Sequence, residues 1–536
     1  MAECVANFNN NNYLNLTSTL CDITKGHAPL LNNDILSTTI EPREYVLESV
    51  MNCSIILWHI IHRMRYMFFM VWPTETMYES LEQVPRYVTE MFPVFVFMSV
   101  IENAVKLIQG KHLLRVNESI GSLSAGIFQE CFRIKIRSIE VIMYCLVYDN
   151  LRMFTLPWDS LWTWWLCYIG VDFGFYWAHK IAHAHHSSEE FSIVSALRQA
   201  VLQPLTAWMT YMPLALCIPP QIFLAHLQLS ELFMAWLHTE VIHTLGPLEY
   251  ILNTPSHHRV HHSRNRQYVD KNYGGILIIW DRLFGTFARE DPADPPVYGL
   301  VHPVKSFNPF YVQFHHWHSI YKRLKRTSGW RNKLYVLIKG PGWQPKYDNW
   351  LGDYNDIPEI QRPVNVYNPV ISLWQTTYVV VHFAAILLFY HELTMRQLQF
   401  CQTTITIGIC GLIWSITSIG FLLEDRWFAP GVELARCFVF IPLERYLLPI
   451  VVAGIDPQPH YMWLRIGLIE LIRFIYMAST FIQTLKLFSN LLQLYDTKTR
   501  NFVVVNCELR EGDGCLNELN FMSKVDKGHR VVSQCC

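Results

Sequence analysis

Histidines are the residues whose types and spacing in this chain can do chemistry. Of 23 histidines in 536 residues, 11 lie between His179 and His262. His179 and His183 form an HxxxH pair. On a helix, residues at i and i+4 share one face and can grip one metal ion. His258, His261 and His262 form HxxHH, again on one helical face, with His257 about a quarter-turn away. His185 and His186 follow His183 closely, and His238 ends an apolar run between the two clusters. One histidine on an apolar face is usually a satisfied core residue, and an isolated HxxxH is a weak signal. Two clusters plus His238, all at the ends of apolar runs, point to metal binding. The clusters contain imidazoles without cysteine or HExxH, which argues against structural zinc and a zincin protease. Imidazole suits iron, copper, zinc and nickel alike, so spacing alone leaves the metal open. The imidazoles are too many for one ion, and two metals is the natural reading.

The elements that must position these residues are membrane helices. The chain is 51% hydrophobic, 14% aromatic and only 16% charged, below the charge content of ordinary soluble domains. Its mean hydropathy is +0.15. The net charge of −1 gives no global reason to expect nucleic acid as a partner. Apolar runs are expected to span the bilayer over 92–108, 138–148, 161–177, 201–219, 222–237, 370–390, 403–423, 437–453 and 466–488. The expected architecture is all-α: a polytopic transmembrane helical bundle with a cytosol-facing, histidine-rich metal site. The basic residues Arg259, Arg264, Arg266, Lys271 and Arg282 place their loop on the cytosolic side. Five regions are expected: a polar extension over 1–45, a catalytic membrane domain over 46–330, a polar linker over 331–369, C-terminal transmembrane helices over 370–490 and a polar tail over 491–536. Residues 1–42 show no basic segment followed by an apolar one, so no cleavable signal is expected. Cysteines within apolar runs, such as Cys145, Cys167, Cys217 and Cys410, read as reduced, buried thiols.

Several other groups have a chemical and a plain reading. Asp172, seven residues before His179, is placed to orient a ligand imidazole through its ring N–H. Glu240 is a candidate catalytic carboxylate beside His238, or simply a helix-end charge. Arg264 and Arg266 can hold a phosphate or a pterin, or merely set topology. His315, His316 and His318 read as an amphipathic surface stretch.

These motifs resemble the fatty acid hydroxylase and sterol desaturase superfamily, and within it the alkylglycerol monooxygenase family. The resemblance is carried by Leu156-Pro-Trp-Asp-Ser, Val171-Asp-Phe-Gly, His186-Ser-Ser-Glu, Ala196-Leu-Arg-Gln, His238-Thr-Glu-Val-Ile, and Leu252-Asn-Thr-Pro-Ser-His-His-Arg-Val-His-His. Asp270-Lys-Asn-Tyr, Ile278-Ile-Trp-Asp and Gly340-Pro-Gly-Trp extend it. It implies a di-iron centre held by the histidines, with His179, His183, His185, His186, His238, His257, His258, His261 and His262 as metal ligands. It implies tetrahydrobiopterin as electron donor, O2 as co-substrate and residence in the endoplasmic reticulum membrane. The implied reaction opens the O-alkyl bond of an ether lipid drawn from the bilayer, giving a fatty aldehyde and a glycerol derivative. Alternatives are a sterol or sphingolipid hydroxylase of the same superfamily, an inactive relative, or a non-enzyme such as a metal transporter.

The sequence departs from the family pattern at the second histidine motif. Only Ala184 separates His183 from the His185-His186 pair. The family has a longer spacer and a further histidine there. A lost segment, a variant in which the remaining imidazoles suffice, and an inactive relative all fit this departure. On one continuous helix, His185 points roughly 100° away from His186.

Overall fold

The computed structural model describes residues 60–182, 192–197, 204–340, 342–347, 352–397, 400–440, most of 478–486, and a few isolated positions. The architecture is all-helical. Among the described residues the only β features are isolated bridges, Leu252 with Leu277 and Ser263 with Tyr298. Among the described residues, three helical segments are long and apolar enough to cross a membrane: Leu81–Ile108, Leu373–Met395 and Gln402–Leu423.

The long helices are α1 (Phe92–Ile108), α2 (Val116–Leu151), α3 (Leu161–Ala182), α4 (Pro204–Tyr211) and α5 (Pro220–Trp236). After them come the short α6 (Pro255–His261) and α7 (Ile279–Leu283), then α8 (Pro309–Arg326), α9 (Trp330–Ile338), α10 (Leu373–Met395) and α11 (Gln402–Leu423). Proline opens several of them. Pro220, Pro255 and Pro309 each sit in a first turn, where the missing N–H has no helical partner to lose.

Helix α2 joins the two halves of the molecule. At 36 residues it is about 54 Å long, well beyond the hydrocarbon thickness. Its first half packs Ile120, Ile127, Phe128 and Cys131 against α10 and α11. Its second half sends Tyr144 into a core shared with Cys167 and Val171 of α3 and Ile222 and Phe223 of α5. A third core packs Met67, Met91 and Val94 against Leu229, Leu232 and Trp236 of α5, together with Ile276 and Leu277. Helix α3 therefore has one packed face. On its other side Trp162, Trp165, Leu166, Ile169 and Phe173 are exposed, a stripe suited to lipid.

Two sequence expectations are corrected here, and one lies beyond the described residues. The apolar run over 201–219 is not one long helix: α4 ends at Tyr211 and a 3-10 turn over Met212–Leu216 follows, because Pro213 cannot continue the α-helical hydrogen bonding. Cys410 is exposed and Cys217 half-buried, each sitting on an outer helix or turn surface, whereas Cys145 and Cys167 are buried as expected. The expected spans over 437–453 and 466–488 lie largely outside the described residues.

Candidate metal centre

Helix α6 presents its histidines to two neighbours at once. His258 and His262, one turn apart, face His238 at the end of α5. The three Nε2 atoms form a triangle with every side 3.1 Å. Hydrogen bonding cannot satisfy this arrangement. Each Nε2 carries either one proton or one lone pair, in the ring plane. At least two of the three are then alike, so two lone pairs or two N–H groups face each other. A cation at the centre accepts all three, and metal–imidazole bonds of about 2.0–2.1 Å leave neighbouring nitrogens about 3 Å apart. The triad fits a metal ion on its own geometry.

His261, three residues after His258, turns toward α3. Its ring centroid lies 4.5 Å from that of His179. The His179 Nδ1–H donates to the Tyr273 carbonyl at 2.9 Å, and the His261 Nδ1–H to the Lys271 carbonyl at 2.9 Å. The His238 Nδ1–H likewise donates to the Met234 carbonyl at 3.1 Å. A donor role for Nδ1 puts the lone pair on Nε2, the tautomer that ligates. Burial reinforces neutrality. It pulls the His238 pKa down to about 4, and it holds His258 well below the usual histidine range, with the neighbouring imidazoles adding to the effect. The His261 ring also packs on His258, with centroids 5.4 Å apart, so five imidazoles form one contiguous group.

The loop over 270–281 is the scaffold for this group. Asp270 and Asn272 adopt positive φ, 60° and 55°, a conformation Asp and Asn tolerate better than most residues. The flanking carbonyls of Lys271 and Tyr273 thereby meet His261 and His179. Asn272 is fully buried; its amide donates to the carbonyls of His257 and Ala288. Asp281 accepts from the Tyr273 and Gly274 N–H groups and from the Thr286 hydroxyl. Asn253 donates to the carbonyls of Gly274 and Gly275. The chain is so tight here that a Cβ on Gly274 would come within 2.6 Å of the Leu277 carbonyl oxygen.

Arg259 ties the two histidine-bearing elements together. Its guanidinium donates to the carbonyls of Thr239, Ile242 and His243 while pairing with Glu290 at 2.7 Å. From the other side, the buried Glu102 of α1 accepts from the Thr239 hydroxyl at 2.9 Å.

The expected site residues are therefore sorted by the fold. His179, His238, His258, His261 and His262 come together. His183, His185 and His186 lie outside the described residues. His257 is buried but turns away, its ring against Phe287 with centroids 5.4 Å apart. Glu240 also turns away: its carboxylate meets Lys106 at 3.7 Å. Asp172 orients no imidazole. It accepts from the N–H groups of Ile276 and Leu277 and from the Trp280 indole, and so pins the scaffold loop onto α3. His315 and His316 are half-buried and line the same cavity as the metal cluster, while His318 is exposed as expected of a surface stretch. Arg259, Asn272 and Asp281 were not foreseen as functional, although the motifs around them were visible.

The cluster opens into a cavity of about 1640 Å³, walled by α2, α3, α5, α8 and the loop around Trp343. Imidazoles that share its lining with Leu227, Met234 and Ile320 make a site for metal-dependent chemistry beside an apolar chain.

A family model described as fatty acid hydroxylase matches residues 164–286, the segment that holds all five clustered histidines. One described as alkylglycerol monooxygenase C-terminal domain matches residues 375–452. The alkylglycerol monooxygenase of Homo sapiens is 44% identical over 400 residues, covering 72% of this chain and 89% of the relative. This chain belongs to the alkylglycerol monooxygenase family. The Danio rerio enzyme of that name is 41% identical over 412 residues, covering 74% of this chain and 92% of the relative. The Caenorhabditis elegans one is 36% identical over 404 residues, covering 70% and 80%. No solved structure matches the chain. Membership makes it a membrane oxidoreductase acting in lipid metabolism, of the iron-dependent fatty acid hydroxylase type.

Proposed function

We propose that this chain is a tetrahydrobiopterin-dependent monooxygenase of the endoplasmic reticulum membrane that cleaves the O-alkyl bond of alkylglycerols and lyso-ether lipids. One observation carries the reading: five imidazoles converge in the wall of a cavity in a chain similar over most of its length to alkylglycerol monooxygenases.

His238, His258 and His262 would hold one iron. His179 and His261, with His183, His185 and His186 from the neighbouring segment, would hold another. Bound iron supplies the oxidising power to break an aliphatic C–H bond. The overall step takes one oxygen atom from O2 into the alkyl carbon beside the ether oxygen. The other atom leaves as water with two electrons from the pterin and two protons. The product is a hemiacetal. Its hydroxyl proton moves to the ether oxygen, the C–O bond breaks, and a fatty aldehyde and a free glycerol hydroxyl result.

The chain's own residues bind and orient. The scaffold loop and the Met234 carbonyl hold His179, His261 and His238 in the ligating tautomer before any metal arrives, and Arg259 holds α6 against the chain after His238, which limits reorganisation. The apolar lining admits the alkyl chain and keeps water from the reacting carbon. The polar rim takes the glycerol end. In this scheme residues 46–330 form the catalytic unit and residues 370–490 a supporting helical bundle.

The test is aldehyde release from an alkylglycerol by membranes carrying the full chain, with and without tetrahydrobiopterin. Pterin-dependent release is expected. Release independent of pterin would move the chain to a hydroxylase fed by an electron-transfer protein. The short Ala184 spacer supports a second reading, an inactive relative. Iron analysis of purified protein separates the two, since an intact site holds a pair of irons per chain.

A further inference from the structure

Arg264 and Arg266 leave one turn in opposite senses. Arg266 runs to the surface and donates to the Ile357 carbonyl at 2.8 Å. Arg264 turns inward, two residues past His262, and lines the histidine cavity. Its Nε is sealed from solvent with no hydrogen-bond partner. Arg323 of α8 also lines the cavity, and its Nη2 donates to the Trp343 carbonyl at 2.5 Å. Neither guanidinium has a carboxylate within ion-pairing distance among the described residues. Burial alone acts on Arg323, pulling its pKa down with no acid raising it.

The other inward-facing arginines are different. Arg133 pairs with Glu130 and Glu231, Arg259 with Glu290, and Arg436 with Glu433. Acids that line the cavity have partners of their own: Asp270 accepts from the Tyr273 hydroxyl, Asp356 from the Tyr347 hydroxyl and Asp353 from the Asn355 N–H, while Glu231 pairs with Arg133. Arg264 and Arg323 are half-buried and the described residues give neither a counter-charge, so two such guanidinia in one cavity suit an anion from outside. Arginine's planar fork matches phosphate oxygens in paired hydrogen bonds.

We propose that Arg264 and Arg323 form an anion-recognition site in the histidine cavity that reads the phosphate of a phosphorylated lyso-ether lipid and sets the preference for charged over neutral headgroups. The proposal rests on the ether-lipid reading above. In such a lipid only the glycerol backbone separates the ether linkage from the phosphate. A single cavity can therefore present the alkyl carbon to the histidines and the phosphate to the arginines.

The experiment compares 1-O-hexadecylglycerol with 1-O-hexadecylglycerol 3-phosphate, using the full chain in membranes and the variants Arg264→Gln, Arg323→Gln and Arg266→Gln. The ratio of kcat/KM for phosphorylated over neutral substrate is expected to fall about ten- to a hundredfold in the first two, the worth of a charged hydrogen bond. It is expected to hold in Arg266→Gln. Binding is read separately by tryptophan fluorescence in metal-depleted protein titrated with the phosphorylated lipid, with inorganic phosphate as the competing arm. A weaker midpoint in the Arg264 and Arg323 variants alone supports the site. An unchanged ratio, an equal fall in Arg266→Gln, or equally tight binding of inorganic phosphate overturns the proposal. If the wild type turns over neither lipid yet binding still discriminates, the anion site stands and the ether-cleavage reading fails.

Discussion

Arg259 Nη1 donates to the Thr239 carbonyl at 3.1 Å, so the helix that carries His258 and His262 is bonded to the residue next to His238. Twenty residues of chain separate the two partners. The ligand triangle closes through this bond and its companions at Ile242 and His243.

Replacing Arg259 with methionine keeps the stem but strands Glu290 and three carbonyls. Stability is expected to fall on the order of 2 kcal/mol, the scale of charged hydrogen bonds lost from a partly buried site. Iron content should fall as well. Thermal unfolding together with metal analysis checks this. Full iron occupancy in Arg259→Met would show that the triad assembles without the clamp.

His257 and His258 are adjacent and have opposite expected roles. His258→Ala removes one corner of the triangle and should abolish iron binding at that position. His257→Ala should leave iron bound and cost only packing against Phe287. Iron stoichiometry of the two purified variants decides. Equal loss in both would mean that His257 is a ligand.

Acid should destabilise the metal-depleted protein in a defined window. Burial holds the His257 pKa down to about 4, against 6.5 for an exposed histidine. Between these values the unfolded chain binds the extra proton and the folded chain does not. Stability is therefore full above about pH 6.5 and declines as the pH falls toward 4, by up to about 1.4 kcal/mol per pH unit for each such histidine. Thermal midpoints recorded over this range should show a shallower acid slope in His257→Gln than in the wild type.

Gly274→Ala should disturb the site without touching a ligand. The added Cβ would meet the Leu277 backbone oxygen at 2.6 Å, and backbone cannot swing aside as a flexible side chain can. The loop must shift, carrying the Tyr273 carbonyl away from His179. Lost stability of about 1–3 kcal/mol and weaker metal binding are expected, the scale of overpacking in a tight site. Unfolding curves and metal titration of the variant measure both.

Much of the site was legible because helical periodicity is a local rule. The i, i+3 and i+4 spacing of His258, His261 and His262 put three imidazoles on one stretch of helix, and an apolar context marked that stretch as unusual. The spans over 92–108 and 403–423 were legible for the same reason, since length and apolar composition suffice to identify a helix that can cross a bilayer. The sequence by itself therefore determined the helical membrane class, the metal-binding residue type and the family.

Tertiary structure decided the division of labour. A local pattern cannot say that His258 and His262 face α5 while His261, between them, faces α3. Nor can it say that His257, one residue away, meets Phe287. Those choices depend on which element packs against each side of a seven-residue helix. Asp172 shows the same limit: its spacing from His179 suggested a partner for an imidazole, but the loop over 276–280 reaches its oxygens first. Glu240 follows His238 by two residues, yet the packing of α1 gives it Lys106. Arg264 and Arg266 are indistinguishable as sequence, and only the folded turn sends one into the cavity and the other to the surface.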